Sequence, residues 1–530
     1  MIELQKFLFE STPKRLELMD YISSAKNEYT IHIYRNHSFE LVEHTLPAYL
    51  DYAEIKGKFS YSDYDDSLSF YNIDTSADML ILWLDMTRYH QEKIGDFLKE
   101  RLEYLCGIYS NPILFIPFEG EIIDIGKNVY CYNLKNIKSA LKERYIDERL
   151  EAISGTKMSA KACMEISKEL GLKYIPALLK PALKAIIVDL DNTLYEGVLG
   201  EDGVNGIQLS DGHVKLQKYI KTLKEKGFFV CIASKNEEQD VRTLLQTRKD
   251  FPLKEEDFAM ICASWQPKAQ MIERIAEYLN IHTDSMLFID DNIGELMSVK
   301  EAHPQIHMIH ANQDAQITYK VLTYYPGLWK LRHQKEDDIR TADIKAKQSR
   351  IELQQSLSKE DYLKSLEIEL EYSLDDKETA GRIAELSNKT NQFIFNYKRY
   401  SLPEVEKLME AEDSLVIAIK LKDRLSDSGI IGACVFRNDI DNLSMEECFV
   451  SCRALGRGIE EAIILGSISI AQEYFSQEKI KVLFKQGERN TPAENFINQH
   501  LVKCLKDFEK VVYNLPENLL KILIKRGGKN

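Results

Sequence analysis

Short, wholly apolar runs separated by amphipathic helical stretches recur through about the first 330 residues. A strand that is apolar on both faces must be covered on both, and parallel sheets flanked by helices do that. Three runs come early: Tyr29–Tyr34 (YTIHIY), Met79–Leu84 (MLILWL) and Pro112–Pro117 (PILFIP). Helical patterns around Leu41–Tyr52 and Gln91–Leu105 lie between them. Four more runs follow at Ala185–Val188, Phe228–Ala233, Ala259–Cys262 and Met286–Ile289, with helices near Val214–Lys226, Glu237–Thr247 and Lys268–Leu279. The spacing predicts an α/β sandwich over residues 1–130 and a second α/β unit over 181–328. A charged helical connector (131–180) joins them and ends at Pro181.

Beyond this the pattern changes. A charged linker over 329–362 leads into residues 363–530, where LEIELEY (Leu366–Tyr372) alternates strictly, as a half-buried strand does. A helix (Thr379–Ser387) is expected next, then strands LVIAIKL, IIGACVF and ECFVSC, and a helix from Ile459. The strand Ile480–Lys485, a helix (Pro492–Lys503) and a last strand FEKVVYNL complete an α+β domain. The whole is a multidomain α/β chain.

Length and charge narrow the partners. At 530 residues, three or four domains are expected. A formal charge of −15 argues against nucleic acid or an anionic membrane as the main partner. No apolar stretch approaches 18 residues, and MIELQKFLFESTPKR lacks the order of a signal peptide. The nine cysteines are scattered, odd in number and without a CxxC pair, as free thiols of a reducing compartment would be. A cytoplasmic location is expected.

The chemistry concentrates at Val188-Asp189-Leu190-Asp191-Asn192-Thr193. Two carboxylates two residues apart leave the carboxyl end of an apolar strand, where open parallel sheets place ligands. One can act as nucleophile while the other handles the leaving group's proton. The next apolar strand ends in Ser234-Lys235-Asn236, Lys268 opens a helix after Trp265-Gln266-Pro267, and MLFI ends in Asp290-Asp291-Asn292. Hydroxyl, amine and further carboxylates thus come to successive tips, and the last pair suits Mg²⁺, which takes oxygen ligands together with substrate phosphate. Tyr195–Ser210, with glycines at 197, 200, 203 and 206, is too short for a cap domain and reads as a flap beside an open site.

This ordered set resembles the haloacid dehalogenase (HAD) phosphatases, whose four motifs correspond to Asp189/Asp191, Ser234, Lys268 and Asp290/Asp291. DLDNTLYEGVLGEDG, ASKN, W-x-x-K, FIDDN and EDDIR are similar to the FkbH-like branch of HAD class IIIC. The resemblance implies a central HAD-like Rossmannoid domain without a cap, between an SGNH-hydrolase-like (flavodoxin-like) sandwich and a GNAT-like acyltransferase domain. It implies that Asp189 forms an aspartyl-phosphate and that Asp191 is general acid, then base. Asp189, Leu190, Asp191, Ser234, Lys235 and Lys268 would hold the phosphoryl group. Mg²⁺ would sit on Asp189, Asp191 (through its carbonyl) and Asp291, with Asp290 supporting them from behind. The substrate implied is a phosphorylated small molecule or acyl phosphate, with an acyl carrier protein receiving a glyceryl-like acyl group on its thiol. Tyr195-Glu196 stand where many relatives carry Trp-Gly or Trp-Asp.

In the last domain, Arg453, Gly456, Arg457 and Gly458 lie between a strand and a helix, where backbone N–H groups can meet a pyrophosphate. The turn resembles the acyl-CoA loop of the GNAT fold and would take CoA or phosphopantetheine; Asn490–Phe496 resembles the helix that follows, and Leu386–Phe393 is a ligand-contact candidate. In the first domain Ser38, with Asn36 nearby, stands where an SGNH nucleophile would, but no Asp-x-x-His follows; Asp85 and Thr87–His90 read as surface residues. Lys330–Arg350 holds seven basic and four acidic residues and reads as a solvated helix, or as a dock for an acidic carrier through Lys345, Lys347 and Arg350.

Overall fold

The computed structural model describes residues 2–70, 73–89, 94–119, 126–332, 346, 350, 353–354, 356–439, 442–451, 454–487 and 489–527. The chain divides into two compact units, Met1–Tyr278 with His282–His333, and Leu279–Ile281 with Gln334–Asn530. The first unit holds two parallel sheets and the second a mixed one.

The first sheet is built from β1 (Glu28–Arg35), β2 (Lys56–Tyr61), β3 (Met79–Asp85), β4 (Ile113–Phe118) and β5 (Val129–Cys131) in the order β2-β1-β3-β4-β5, all parallel. The wholly apolar β3 and β4 lie inside, buried along their whole length. The outer strand β2 carries no apolar run, since KGKFSY leaves every second residue exposed to water, and β5 is only three residues long, so the signals of both are weak.

The second sheet contains β6 (Ala185–Val188), β7 (Phe229–Ser234), β8 (Met260–Ala263), β9 (Met286–Asp290) and β10 (His307–His310) in the order β10-β9-β6-β7-β8, again all parallel. The order reverses at β6, whose carboxyl end is therefore the switch point where such sheets open a crevice. Between β6 and β7 the chain makes the helices Leu199–Gly206 and Asp211–Glu225, and between β7 and β8 the helix Glu238–Thr247 and one 3-10 turn.

Helical segments from the first 180 residues pack into the core of the second sheet. Helix Pro47–Tyr52 and the π-turn Leu170–Tyr174 join Leu8, Phe9 and Leu18 in one apolar cluster with Ile186, Val188, Ile289 and Tyr325. A Cβ at Gly171 would lie 2.5 Å from the Tyr49 Cβ, so glycine permits that approach. The charged 131–180 connector is thus partly interior packing.

The second unit's sheet runs β16-β15-β14-β13-β12-β11-β17. Its strands are β11 (Glu369–Leu374), β12 (Ser414–Lys422), β13 (Asp427–Asp439), β14 (Asn442–Val450), β15 (Lys479–Val482), β16 (Glu509–Lys510) and β17 (Lys521–Arg526). β11 to β14 form an antiparallel meander, β15 joins β14 in parallel, and helix Glu460–Phe475 links those two. FEKVVYNL contributes only the two-residue β16, and the far edge is filled instead by β17, parallel to β11. Lys521–Glu369 (2.6 Å) and Lys525–Glu371 (2.8 Å) tie that edge through long-range ion pairs a local pattern cannot register.

The basic stretch is corrected where it is described. The Lys330 ammonium donates to the Lys226 carbonyl at 2.8 Å, and Arg332 to the Lys127 and Val129 carbonyls. Arg350 is buried and paired with Asp423 at 2.8 Å, so it is no free docking charge. Lys345 and Lys347 lie outside the described residues. The eight described cysteines are free thiols, and among the described residues no helix is long and apolar enough to cross a membrane.

Candidate active site

The strand ends of the second sheet bring the four motifs together. Asp189 extends the β6–β9 ladder by one bond, its N–H donating to the Ile289 carbonyl at 2.9 Å. The chain then turns tightly, with Thr193 N–H and Leu194 N–H both donating to the Leu190 carbonyl. Asn192 takes a left-handed φ of 52°, which asparagine tolerates well, and its Oδ1 accepts from Gly197 N–H at 3.1 Å. Asp189 and Ser234 are buried, the latter at the end of β7. Lys268 begins the helix Lys268–Leu279 and is buried as well.

The Lys268 ammonium sits between two acids, 3.0 Å from Asp189 Oδ1 and 2.5 Å from Asp290 Oδ2. Asp290 Oδ1 accepts from Asn292 N–H at 2.8 Å, so both oxygens of Asp290 are engaged and it supports the site from behind. Asp291 is half-buried, and one carboxylate oxygen from each of Asp189, Asp290 and Asp291 falls within 4.8 Å of the others. No second such group occurs among the described residues. Two buried polar atoms without a hydrogen-bond partner lie near these strand tips, Thr193 Oγ1 and Ser264 Oγ.

The electrostatics lack positive charge. Desolvation raises the Asp189 carboxyl to about 6, with Lys268 pulling against it and Asp290 adding to it. Burial also raises Asp290, against Lys268, and raises Asp291, where Asp189 adds to the effect. Burial disfavours the Lys268 charge, but Asp189 and Asp290 outweigh it and hold its pKa above the ordinary lysine value. One ammonium against three carboxylates leaves room for a hard cation, and the clustered carboxylate oxygens of Asp189, Asp290 and Asp291 fit Mg²⁺.

Asp191 is held by three donors: Tyr195 Oη (2.6 Å) and Leu199 N–H (3.0 Å) on Oδ1, and Asn236 Nδ2 (3.0 Å) on Oδ2. Asn236 Nδ2 also reaches Ser234 Oγ at 3.1 Å, linking two motifs. Tyr195, fully buried, and Leu199 are the residues that sequence reasoning left without a role. The expected flap is instead the helix Leu199–Gly206, broken at Gly203 (φ 66°) and pinned by the Glu196–Gln208 bridge. Its glycines hide it from any helical pattern, and its first N–H is the one that meets Asp191. Lys235 pairs with Glu295 at 2.5 Å at the edge of the site.

Arg457 is buried, bound to Asp423 at 2.8 Å and Ser428 Oγ at 2.9 Å, so its side chain belongs to the core. Gly456 (φ 79°) and Gly458 (φ 75°) make the turn, with Gly456 N–H donating to Glu460 at 2.6 Å; Arg453 lies outside the described residues. Asn388 holds the Ala384 and Tyr400 carbonyls, and Asn490 those of Ile394 and Lys485. The buried Glu447 accepts from four backbone N–H groups, of Phe395, Asn396, Lys398 and Cys448, so it is a brace.

In the first sheet, Asn36 and Asp85 do meet: Asn36 Oδ1 accepts from Asp85 N–H at 2.6 Å and Arg88 crosses to Asp85, Glu151 and Gly155. They form a closed network rather than loose surface residues. Ser38 Oγ donates to Glu40 at 2.5 Å, and His37 is buried against Trp83 with its Nδ1 on Thr156. Among the described residues no histidine activates Ser38, and His90 lies outside them.

No protein-family model and no curated protein matches the chain. Among solved structures it is similar to the N-terminal part of the protein BF1531 from Bacteroides fragilis, containing a phosphatase domain complexed with Mg. The identity is 20% and the TM-score 0.47, over 60% of this chain and 100% of that one. It is similar to a HAD family enzyme from Bacteroides thetaiotaomicron, complexed with magnesium and inorganic phosphate (15% identity, TM-score 0.19, 25% of this chain and 95% of that one). It is also similar to a ribosomal-protein-alanine N-acetyltransferase from Brucella melitensis biovar Abortus 2308 (14%, TM-score 0.20, 27% and 99%).

Proposed function

We propose that the chain is a HAD-type, Mg²⁺-dependent phosphatase of the FkbH-like kind, with residues 181–328 as its catalytic domain. The observation that carries this is the Lys268 ammonium lodged between Asp189 and Asp290 at the switch point, with Ser234 at the neighbouring tip. Asp189 attacks phosphorus, the bond from phosphorus to the leaving oxygen breaks, and protonated Asp191 gives that oxygen its proton. Water then attacks the aspartyl-phosphate, Asp191 takes a proton from it, and inorganic phosphate leaves. Tyr195, Leu199 N–H and Asn236 hold Asp191 in place for both transfers. Lys268 and Ser234 counter the phosphoryl charge. Asp189, the Asp191 carbonyl and Asp291 would hold Mg²⁺, which supplies charge neutralisation for the phosphate oxygens.

The test is hydrolysis of a small aryl phosphate by the full chain. Activity is expected with Mg²⁺, to vanish with EDTA, and to fall by orders of magnitude in Asp189→Asn. Undiminished turnover in that variant removes the aspartyl-phosphate mechanism. A tungstate or vanadate soak is expected to place the oxyanion against Asp189, Ser234 and Lys268. Acyl transfer to a carrier thiol, with CoA or phosphopantetheine at the Gly456–Gly458 turn, extends the reading. It is supported by the two left-handed glycines ahead of helix Glu460–Phe475. Mass spectrometry of a phosphopantetheinylated carrier incubated with the chain and an acyl phosphate tests it; without acyl gain the chain acts as a stand-alone phosphatase.

A further inference from the structure

The side chains of Asp189, Ser234 and Lys268 are buried and polar, while large apolar side chains are exposed near these strand tips, alongside the exposed Asn192, Gln266 and Asn292. Trp265 lies in the turn between β8 and Lys268, and its ring is 69% exposed although its Nε1 is anchored on Glu237 Oε1 at 2.6 Å. The same turn is fastened to the catalytic strand tip, Ser264 N–H donating to the Ser234 carbonyl at 3.1 Å, while Ser264 Oγ has no partner. On the other side of β6, Ile293 and Met297 are each 47% exposed. They stand one turn apart on helix Ile293–Ala302, which starts directly after Asp290-Asp291-Asn292. The order β9-β6-β7-β8 sets Asp189 between the two apolar groups, about 15 Å apart at ordinary strand spacing. Lys235 and Glu295 pair with each other at 2.5 Å.

An indole fixed by a hydrogen bond, yet left in water next to a phosphoryl pocket, is a preorganised contact surface. We infer that Trp265 and Ile293 form an apolar rim that receives the leaving group, so that the preferred phosphate esters carry a flat apolar face next to the phosphate rather than a hydroxyl-rich ring. The inference rests on the phosphatase reading and names its substrate class. An aromatic or other flat apolar group lying against the exposed indole takes apolar surface of both out of water, which a hydroxyl-rich ring does to a smaller extent.

The full chain with Mg²⁺ is assayed on 1-naphthyl phosphate and on glucose 6-phosphate. The wild type is expected to favour the naphthyl ester in kcat/KM. Trp265→Ala is expected to lower the naphthyl-to-glucose ratio of kcat/KM roughly tenfold, mainly through KM of the naphthyl ester, with Trp265→Phe keeping most of the ratio. Because the side chain is largely exposed, the variant should keep its circular dichroism spectrum. An unchanged ratio in Trp265→Ala, or an equal loss on both substrates, overturns the rim while Asp189-dependent hydrolysis stands. If the wild type hydrolyses neither ester, the phosphatase reading falls and the rim with it.

Discussion

Asp189 and Asp191 are two residues apart in sequence and end in opposite environments. Asp189 lies beside an ammonium and two further carboxylates, and burial raises its pKa. Asp191 is clasped by a phenol, an amide and a backbone N–H. The two carboxylates thus meet different surroundings within three residues of chain. Removing one clasp tests this: Tyr195→Phe should lower kcat about tenfold with little change in KM, because substrate binding does not use that hydroxyl. A change in KM alone would place Tyr195 on the substrate. The motif acids, Ser234 and Lys268 were legible in the sequence, because each ends a strand or opens a helix. Tyr195 and Asn236 were in view without a role, since a single donor has no periodicity and only the turn after β6 reveals its partner.

At the level of elements, the packing margins are narrow in places. A Cβ on Gly212 would stand 2.7 Å from the Gln316 backbone nitrogen, so helix Asp211–Glu225 leans on helix Ala315–Thr323 through a bare backbone. Gly212→Ala should therefore cost about 1–3 kcal/mol in urea unfolding. A stability equal to wild type would mean that the helices separate freely. His37, stacked on Trp83, is pushed down to about 3 by desolvation, with Asp85 partly opposing. A neutral native histidine makes the unfolded chain the better proton binder between about pH 6.5 and 3. Its contribution is complete above that window and fades as pH falls, by at most about 1.4 kcal/mol per pH unit. His37→Phe should flatten the acid slope of the urea midpoint, whatever its effect at pH 7. An unchanged slope would move the acid sensitivity to other groups.

For the molecule as a whole, every residue assigned to phosphoryl chemistry lies in the first unit, which has its own cores. A chain ending after Arg332 should therefore hydrolyse a small aryl phosphate within about twofold of the full-length kcat, and loss of that activity in a soluble fragment would tie catalysis to the second unit. What the sequence by itself determined was the run of buried parallel strands in the first two sheets and the polar groups at their ends. Apolar runs of four to six residues have few ways to be buried, and carboxylates at their ends mark the opening of a parallel sheet. The polar edges β2, β5, β10 and β17 were decided only by the tertiary structure, because an edge strand is defined by its neighbour and not by its own pattern. So were the fates of the cations. Lys330, Arg332, Arg350 and Arg457 read alike as surface charge or anion grips along the chain, yet each is taken up by a carbonyl or by Asp423. Charge is a property of a residue, but its partner is a property of the fold, and a buried arginine is stable only where folding delivers a carboxylate to it.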